Sequence, residues 1–290
     1  MTEWSPLYPN IFTIGDFVVT SFGLMMFLAF MTGTWIMGRQ LQRYGLPADL
    51  AWDLLAWVAV GGIVGAKIYY LALHPAELQA NFFGALISRG GLVWYGGLIG
   101  GVIAYYLQVR SRKLPVPVMF DASAACIAIA YAVGRVGCFL VGDDYGRYTE
   151  SSVGIAFPKG APPSTAGNLR AIGDNIPANV PDSAVVPVHP TQLYEVGLAT
   201  IMFAILWRLG VKRGLRTGQL FSLFLAMYGV ERFFIEFVRA KSDRFVFGLS
   251  TSQIMSILLL IVAAVLWHRQ SKAAPAPLTA QAVASPVAAR

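Results

Sequence analysis

The chain has 290 residues, 56% of them hydrophobic and only 13% charged, with 22 Lys and Arg against 15 Asp and Glu for a net charge of +7. Soluble domains carry about 25% charged residues, so the charge here is too sparse to cover a water-facing surface, which excludes an ordinary soluble enzyme and points to lipid. No basic amphipathic cluster interleaved with aromatics accompanies the positive balance, which excludes nucleic acid as a partner, and Cys126 and Cys138 make neither a metal-ligand spacing nor a disulfide framework.

The N-terminal stretch does not read as a cleavable signal, because no Lys or Arg precedes Arg39 and Glu3, Pro6 and Pro9 come early. Seven apolar segments then follow, each near the length that crosses a bilayer. The first, 17–38, runs FVVTSFGLMMFLAFMTGTWIMG, and the second, 54–73, contains Lys67 and the run GGIVGA. The third, 92–109, opens LVWYGGLIGG. Small residues four apart (Gly61 and Gly65 in the second, Gly96 and Gly100, then Gly97 and Gly101 in the third) allow helix backbones to approach closely.

The fourth segment, 117–140, carries Asp121 and Arg135 and ends in GRVGCFLVGDDYG, residues 134–146. Its glycines permit irregular backbone close to a ligand, and Arg135 brings a cation to the outer membrane depth. A long external segment at 142–189, rich in Pro, Gly, Asp and Asn, separates it from the fifth, 191–209, which is entered through HPTQLYE, residues 189–195. His189 is the one histidine of three beside such a polar cluster. The sixth segment, 218–238, places Tyr228, Arg232 and Glu236 four apart, with Arg239 three later. Those offsets put one stripe of phenol, guanidinium, carboxylate and guanidinium on a single helical face. The stripe reads either as a structural ion pair or as an anion site in which Glu236 fixes Arg232, whose planar fork suits phosphate. The seventh segment is 249–267, and the Ala/Pro-rich residues 273–290 read as a disordered cytoplasmic tail.

Odd parity sets the termini on opposite sides. Of the 22 basic residues, twelve fall on the side with the short loops, seven on the other and three inside spans. Positive residues collect on the cytoplasmic side, so the C-terminus is cytoplasmic and the N-terminus outside. The expected fold is therefore an all-α integral membrane protein of seven transmembrane helices, one polytopic domain over residues 1–272. Lys67, Asp121, Arg135, Glu195, Glu231, Arg232 and Glu236 all fall in or at the edge of spans. Each intramembrane charge costs about 2.5–3.5 kcal/mol on insertion scales, so so many imply a polar, protein-lined interior.

Six blocks, SFGLM (21–25), GAKIYY (65–70), SRGGLVWYGGLIGG (88–101), GRVGCFLVGDDYG, HPTQLYE and YGVERFFIEFVR (228–239), resemble the prolipoprotein diacylglyceryl transferase family in order and placement. The resemblance implies a bacterial inner-membrane enzyme without metal or nucleotide cofactor. It moves the diacylglyceryl group of phosphatidylglycerol to the lipobox cysteine thiol of prolipoproteins, the first step of lipoprotein maturation, and its partners are those two substrates and the surrounding membrane lipids. It also implies lipid-binding or catalytic roles for Arg135, Gly146, Tyr228, Arg232 and Glu236, with Lys67, Gly96, Gly97 and His189 as further phosphatidylglycerol contacts.

The chain departs from the family at Phe22 for a Tyr, Lys67 for an Arg, Tyr95 for the His of a His-Gly-Gly motif, Cys138 for an Asn and Asp143 for a Glu. The reaction needs a thiolate and stabilisation of a leaving phosphate. Arg135 and Arg232 supply the second, while Tyr95, Asp143 or a cationic pocket acting on the thiol itself could supply the first. Other readings are a paralogue with the same lipid pocket and another acceptor, a lipid binder without catalysis, and, from another class, a transporter. Against a transporter stands the lack of an internal repeat.

Overall fold

In the computed structural model, residues 10–15, 17–80, 82–87, 93–211, 215–241 and 248–272 are described. The expectation for the 273–290 tail, and the block residues 88–92, lie outside them. A short antiparallel pair, β1 (Asn10–Ile14) and β2 (Phe17–Thr20), leads into helix α1 (Ser21–Arg43). Then come α2 (Leu50–Leu73), the short α3 (Pro75–Ala80) and α4 (Phe82–Ile87), α5 (Trp94–Ser111) and α6 (Val116–Val141). The segment after α6 holds β3 (Ile155–Ala156), α7 (Ala166–Ala171) and β4 (Pro187–Val188), followed by α8 (Thr191–Val211), α9 (Gln219–Ile235) and α10 (Thr251–Lys272).

The fold is mostly helical, and among the described residues α1, α2, α6, α8 and α10 are long and apolar enough to cross a membrane. α5 and α9, of 18 and 17 residues, are not among the five. The expected segments are all found as helices, with shifted ends. The first helix starts at Ser21 rather than 17, because the β-branched run Val18-Val19-Thr20 pairs as a strand. The mostly helical fold agrees with the all-α expectation, to which the structure adds two short two-stranded sheets and, between the second and third segments, α3 and α4.

Polarity on these helices is inverted relative to a soluble protein. Ile63, Ile68 and Phe234 are more than 60% exposed, while Gln192, Glu195 and Ser256 are fully buried. With lipid as the solvent, apolar side chains face outward and polar ones must find partners inside.

The described residues divide into two compact units, 10–33 with 123–272, and 34–122. In the second, α2 packs on α5 through the small residues expected from the sequence. A Cβ at Gly65 would collide with Gly96 and Gly100, and one at Gly100 with the Gly61 carbonyl and the Gly65 Cα. The backbones touch, so dispersion and close approach hold the pair without a hydrophobic driving force. Gly100→Val is expected to split this pair and lower the thermal unfolding temperature in detergent, whereas Gly101→Ala, where a Cβ meets only ordinary contacts at 3.5 and 3.6 Å, is expected to be tolerated. Equal unfolding temperatures for the two variants would show that close helix approach is not what binds α2 to α5.

In the first unit, α9 packs against α8 and α10. Gly229 lets α10 approach, its Cβ position lying 3.2 Å from the Ser256 carbonyl. At the other end of the two helices, Ser222 Oγ bonds Gln270 Oε1 at 2.8 Å. The segment 142–189 is not a featureless loop. It has its own core of Tyr145, Phe157, Ala166, Leu169, Ile176, Val186 and Val188, with Tyr145 stacked on Phe157 at 5.5 Å. Thr165 caps α7 by accepting from the Asn168 amide at 3.3 Å. This small folded body fixes the strand of chain running from Asp143 to Arg147.

Candidate anion site of the first unit

Glu195 is the centre of the site. It lies one turn into α8, is completely buried, and accepts from three donors on two other helices. Arg135 Nη2 of α6 bonds its Oε2. Arg232 Nη1 of α9 bonds its Oε1 at 3.0 Å, and the Tyr131 hydroxyl, one turn before Arg135, bonds the same oxygen at 2.8 Å. One carboxylate thus ties together two guanidinium groups that would otherwise repel, and α8 is pinned between α6 and α9.

Arg232 uses its other nitrogen as the sequence predicts. Nη2 meets Glu236 Oε2 at 3.2 Å, four residues on, and also donates to Ser252 Oγ of α10 at 3.2 Å. Tyr228, one turn earlier, sets its ring edge-on to Tyr131 at 5.5 Å and stacks on Phe224. Glu231 lies 3.4 Å from the Tyr131 hydroxyl. Tyr228, Arg232 and Glu236 follow one another along α9 as expected, but Arg239 lies past the helix end, in a bridge to Gly146, and the partner across the bundle, Glu195, reads in the sequence only as an intramembrane charge. Its single available signal was a lone acid in an apolar helix, because the residues it joins lie 60 and 37 positions away.

A second cluster lies where α6 ends. Asp144, not Asp143, is the acid that meets the cations. Its Oδ2 accepts from Arg135 Nη1 at 3.1 Å, its Oδ1 from Arg239 Nη2, and Lys241 Nζ stands 3.8 Å away. Burial works against its charge, but Arg239, Lys241 and Arg135 outweigh that and hold its carboxyl at about 2. Because this lies below the usual aspartate value, the pairing stabilises the fold at neutral pH and is lost as pH falls from about 4 toward 2.

Asp143 is oriented differently. Its carbonyl accepts from Gln192 Nε2 at 2.5 Å, and its buried Oδ1 has no hydrogen-bond partner among the described residues. Burial, then the neighbouring Asp144, pushes its carboxyl above the usual range. Cys138, Asp143 and Asp144 offer ligand atoms within 4.8 Å of one another. A metal cation there would have to displace Arg135, Arg239 and Lys241 from Asp144, so the electrostatics of the site favour anions.

Gly146 and His189 form the frame of this cluster. Gly146 N donates to the His189 carbonyl at 2.8 Å, His189 N to the Arg147 carbonyl at 2.9 Å, and Arg147 N to the Val238 carbonyl at 2.8 Å. A Cβ at Gly146 would lie 2.7 Å from both His189 Cβ and the Val238 carbonyl oxygen, so the glycine is required for packing. The His189 ring pairs with the Tyr194 hydroxyl at 3.1 Å rather than with the ion cluster.

The site residues expected from the sequence thus divide. Arg135, Asp143, Gly146, His189, Tyr228, Arg232 and Glu236 are gathered in the first unit. Lys67, Tyr95, Gly96 and Gly97 belong to the second. There Lys67 is buried with its ammonium 5.5 Å from the Tyr70 ring centroid, Tyr95 is exposed and edge-on to Trp94, and Gly96 is buried where a Cβ would strike Gly65 and Tyr69.

The sequence as a whole has counterparts among known proteins. The chain is similar to phosphatidylglycerol–prolipoprotein diacylglyceryl transferases from Pseudoalteromonas atlantica (31% identity, 89% of this chain and 88% of the relative), Xanthomonas oryzae (33%, 88% and 88%) and Clostridium tetani (28%, 88% and 94%). A family model described as prolipoprotein diacylglyceryl transferase matches residues 9–269. With nearly all of its length matched, the chain belongs to the prolipoprotein diacylglyceryl transferase family.

Proposed function

We propose that this protein transfers the diacylglyceryl group of phosphatidylglycerol to the thiol of the lipobox cysteine in prolipoproteins, the first step of bacterial lipoprotein maturation. The observation that carries the reading is the pair of buried guanidinium groups, Arg135 and Arg232, bridged by Glu195 inside a membrane-type helical unit of this family. A buried, preorganised pair of forks suits one phosphate and little else at that depth.

In the reaction, the thiolate sulfur bonds to the terminal glyceryl carbon as that carbon's bond to the phosphate oxygen breaks. The oxygen keeps the electron pair and leaves as glycerol phosphate. Arg135 and Arg232 stabilise the charge that grows on it. Glu236 and Glu195 hold the two guanidinium groups in orientation, and Tyr228 walls the site. Asp143, whose free Oδ1 and raised carboxyl favour uptake of a proton, receives the thiol proton. Gly146 and His189 position the Arg239 segment. For Tyr95, Lys67, Gly96 and Gly97 the support is their place in the sequence blocks: Tyr95 donates to phosphate, while the glycines are taken up by packing against α2.

The protein lies in the bacterial inner membrane as one polytopic domain, with seven spans, the 142–189 segment and N-terminus outside, and the C-terminus inside. Five long apolar helices and the distribution of basic residues support this orientation. Expression in cells depleted of their own transferase tests both function and topology. Diacylglyceryl-modified lipoprotein is expected, reduced in part by Tyr95→Phe, and a reporter at residue 160 should read external while one at 213 reads cytoplasmic. Growth arrest with unmodified precursor, at normal protein level, would overturn the transferase reading, and an external reporter at 213 the seven spans.

A further inference from the structure

Asp144 is held by more positive charge than its own carboxylate balances. Arg135 comes to it from α6, and Arg239 and Lys241 from the segment that follows α9, so three cations converge on the two oxygens of one side chain. Arg239 is only 3% exposed, yet its Nε has no hydrogen-bond partner among the described residues, and the same is true of Arg135 Nε. Buried guanidinium donors are ordinarily satisfied, so the cluster has donor capacity that Asp144 does not use. Asp144 itself sits at φ +54°, a left-handed conformation that favours glycine. Aspartate is among the few non-glycine residues that enter this region readily, and here it turns its carboxylate into the cations. Its side chain is 36% exposed and that of Lys241 42%, so the seat opens at the end of α6 and a small anion has access to it.

The transfer reaction generates an anion of the right kind. Phosphatidylglycerol carries a phosphodiester with a single charge. Cleavage of its carbon–oxygen bond releases a phosphomonoester with about −1.5 to −2 charge near neutral pH. Arg232, held by Glu195 and Glu236, meets the single charge of the diester, and the added charge of the monoester calls for cations beyond it. We propose that Arg135, Arg239 and Lys241 form a second oxyanion subsite that receives the phosphomonoester product, and that Asp144 occupies it in the resting protein as an internal stand-in for that anion. The product binds as Asp144 swings outward, and the return of Asp144 expels it. This inference rests on the transferase reading above.

Titration calorimetry on the full chain in detergent tests it, with glycerol phosphate as the monoester probe and glycerophosphoglycerol as the diester. Asp144→Asn should bind the monoester at least about fivefold tighter, with the diester affinity changed less than about twofold. Lys241→Ala, a substitution of an exposed side chain, should weaken the monoester at least about threefold, and it decides the matter if the Asp144 variant does not fold. Unchanged or weaker monoester binding by Asp144→Asn, equal changes for both probes, or unchanged binding by Lys241→Ala would overturn the subsite while leaving the transferase reading intact. If the unsubstituted protein binds neither probe, the phosphate site, and the transferase reading with it, fails.

Discussion

Replacing either Arg135 or Arg232 by Ala is expected to lower diacylglyceryl transfer by at least about a hundredfold to a thousandfold, the cost typical of removing a preorganised donor to a developing oxyanion. The Lys variants are expected to recover little. Arg232 gives Nη1 to Glu195 and Nη2 to Glu236 and Ser252, and Arg135 gives one nitrogen to Glu195 and the other to Asp144. A single ammonium cannot hold two carboxylates in a plane and still present a donor to phosphate. The readout is lipidated product per unit of folded protein, which separates lost chemistry from lost expression. Near-normal transfer by either Ala variant would show that the buried forks serve only to bind helices together.

The second large effect is expected at Glu195. Glu195→Ala leaves Arg135 and Arg232 facing each other in a buried space, and loss of one partner from a buried ion cluster costs about 3–5 kcal/mol. Tyr131 also loses its acceptor at 2.8 Å. A large fall in unfolding temperature in detergent and no measurable transfer should follow. Glu195→Gln retains the shape and one acceptor oxygen while losing the charge, so it should unfold between the parent and the Ala variant. Were Glu195→Ala as stable as the parent, the bridge across α6, α8 and α9 would not be an organising contact of this unit.

Much of this was legible in the chain. Each of the seven apolar segments became a helix, five of them long and apolar enough to cross a membrane, because in lipid a helix satisfies its own backbone. The four-residue spacing of Arg232 and Glu236 became a measured ion pair, since partners on one helix face are fixed by helical geometry alone. The glycines at 61, 65, 96 and 100 became the contact between α2 and α5 for the same reason, as their spacing puts them on one stripe. The strand at 17–20 was hidden because its residues are equally apolar whether they pair or coil.

What the sequence determined by itself was therefore whatever depends on neighbours within about one helical turn, namely the helices, their polar faces and the small-residue stripe. Tertiary structure decided which charges meet across the bundle. It chose Glu195 as the bridge between the arginines, Asp144 rather than Asp143 as the acid in contact with Arg135 and Arg239, and packing against His189 and Val238 as the reason for Gly146. Apart from Asp144 with Arg135, nine positions away, those pairings join residues 37 to 95 positions apart. No spacing rule reaches that far, because the energy that selects them is Coulombic attraction between groups excluded from water, which exists only once the helices have closed around them.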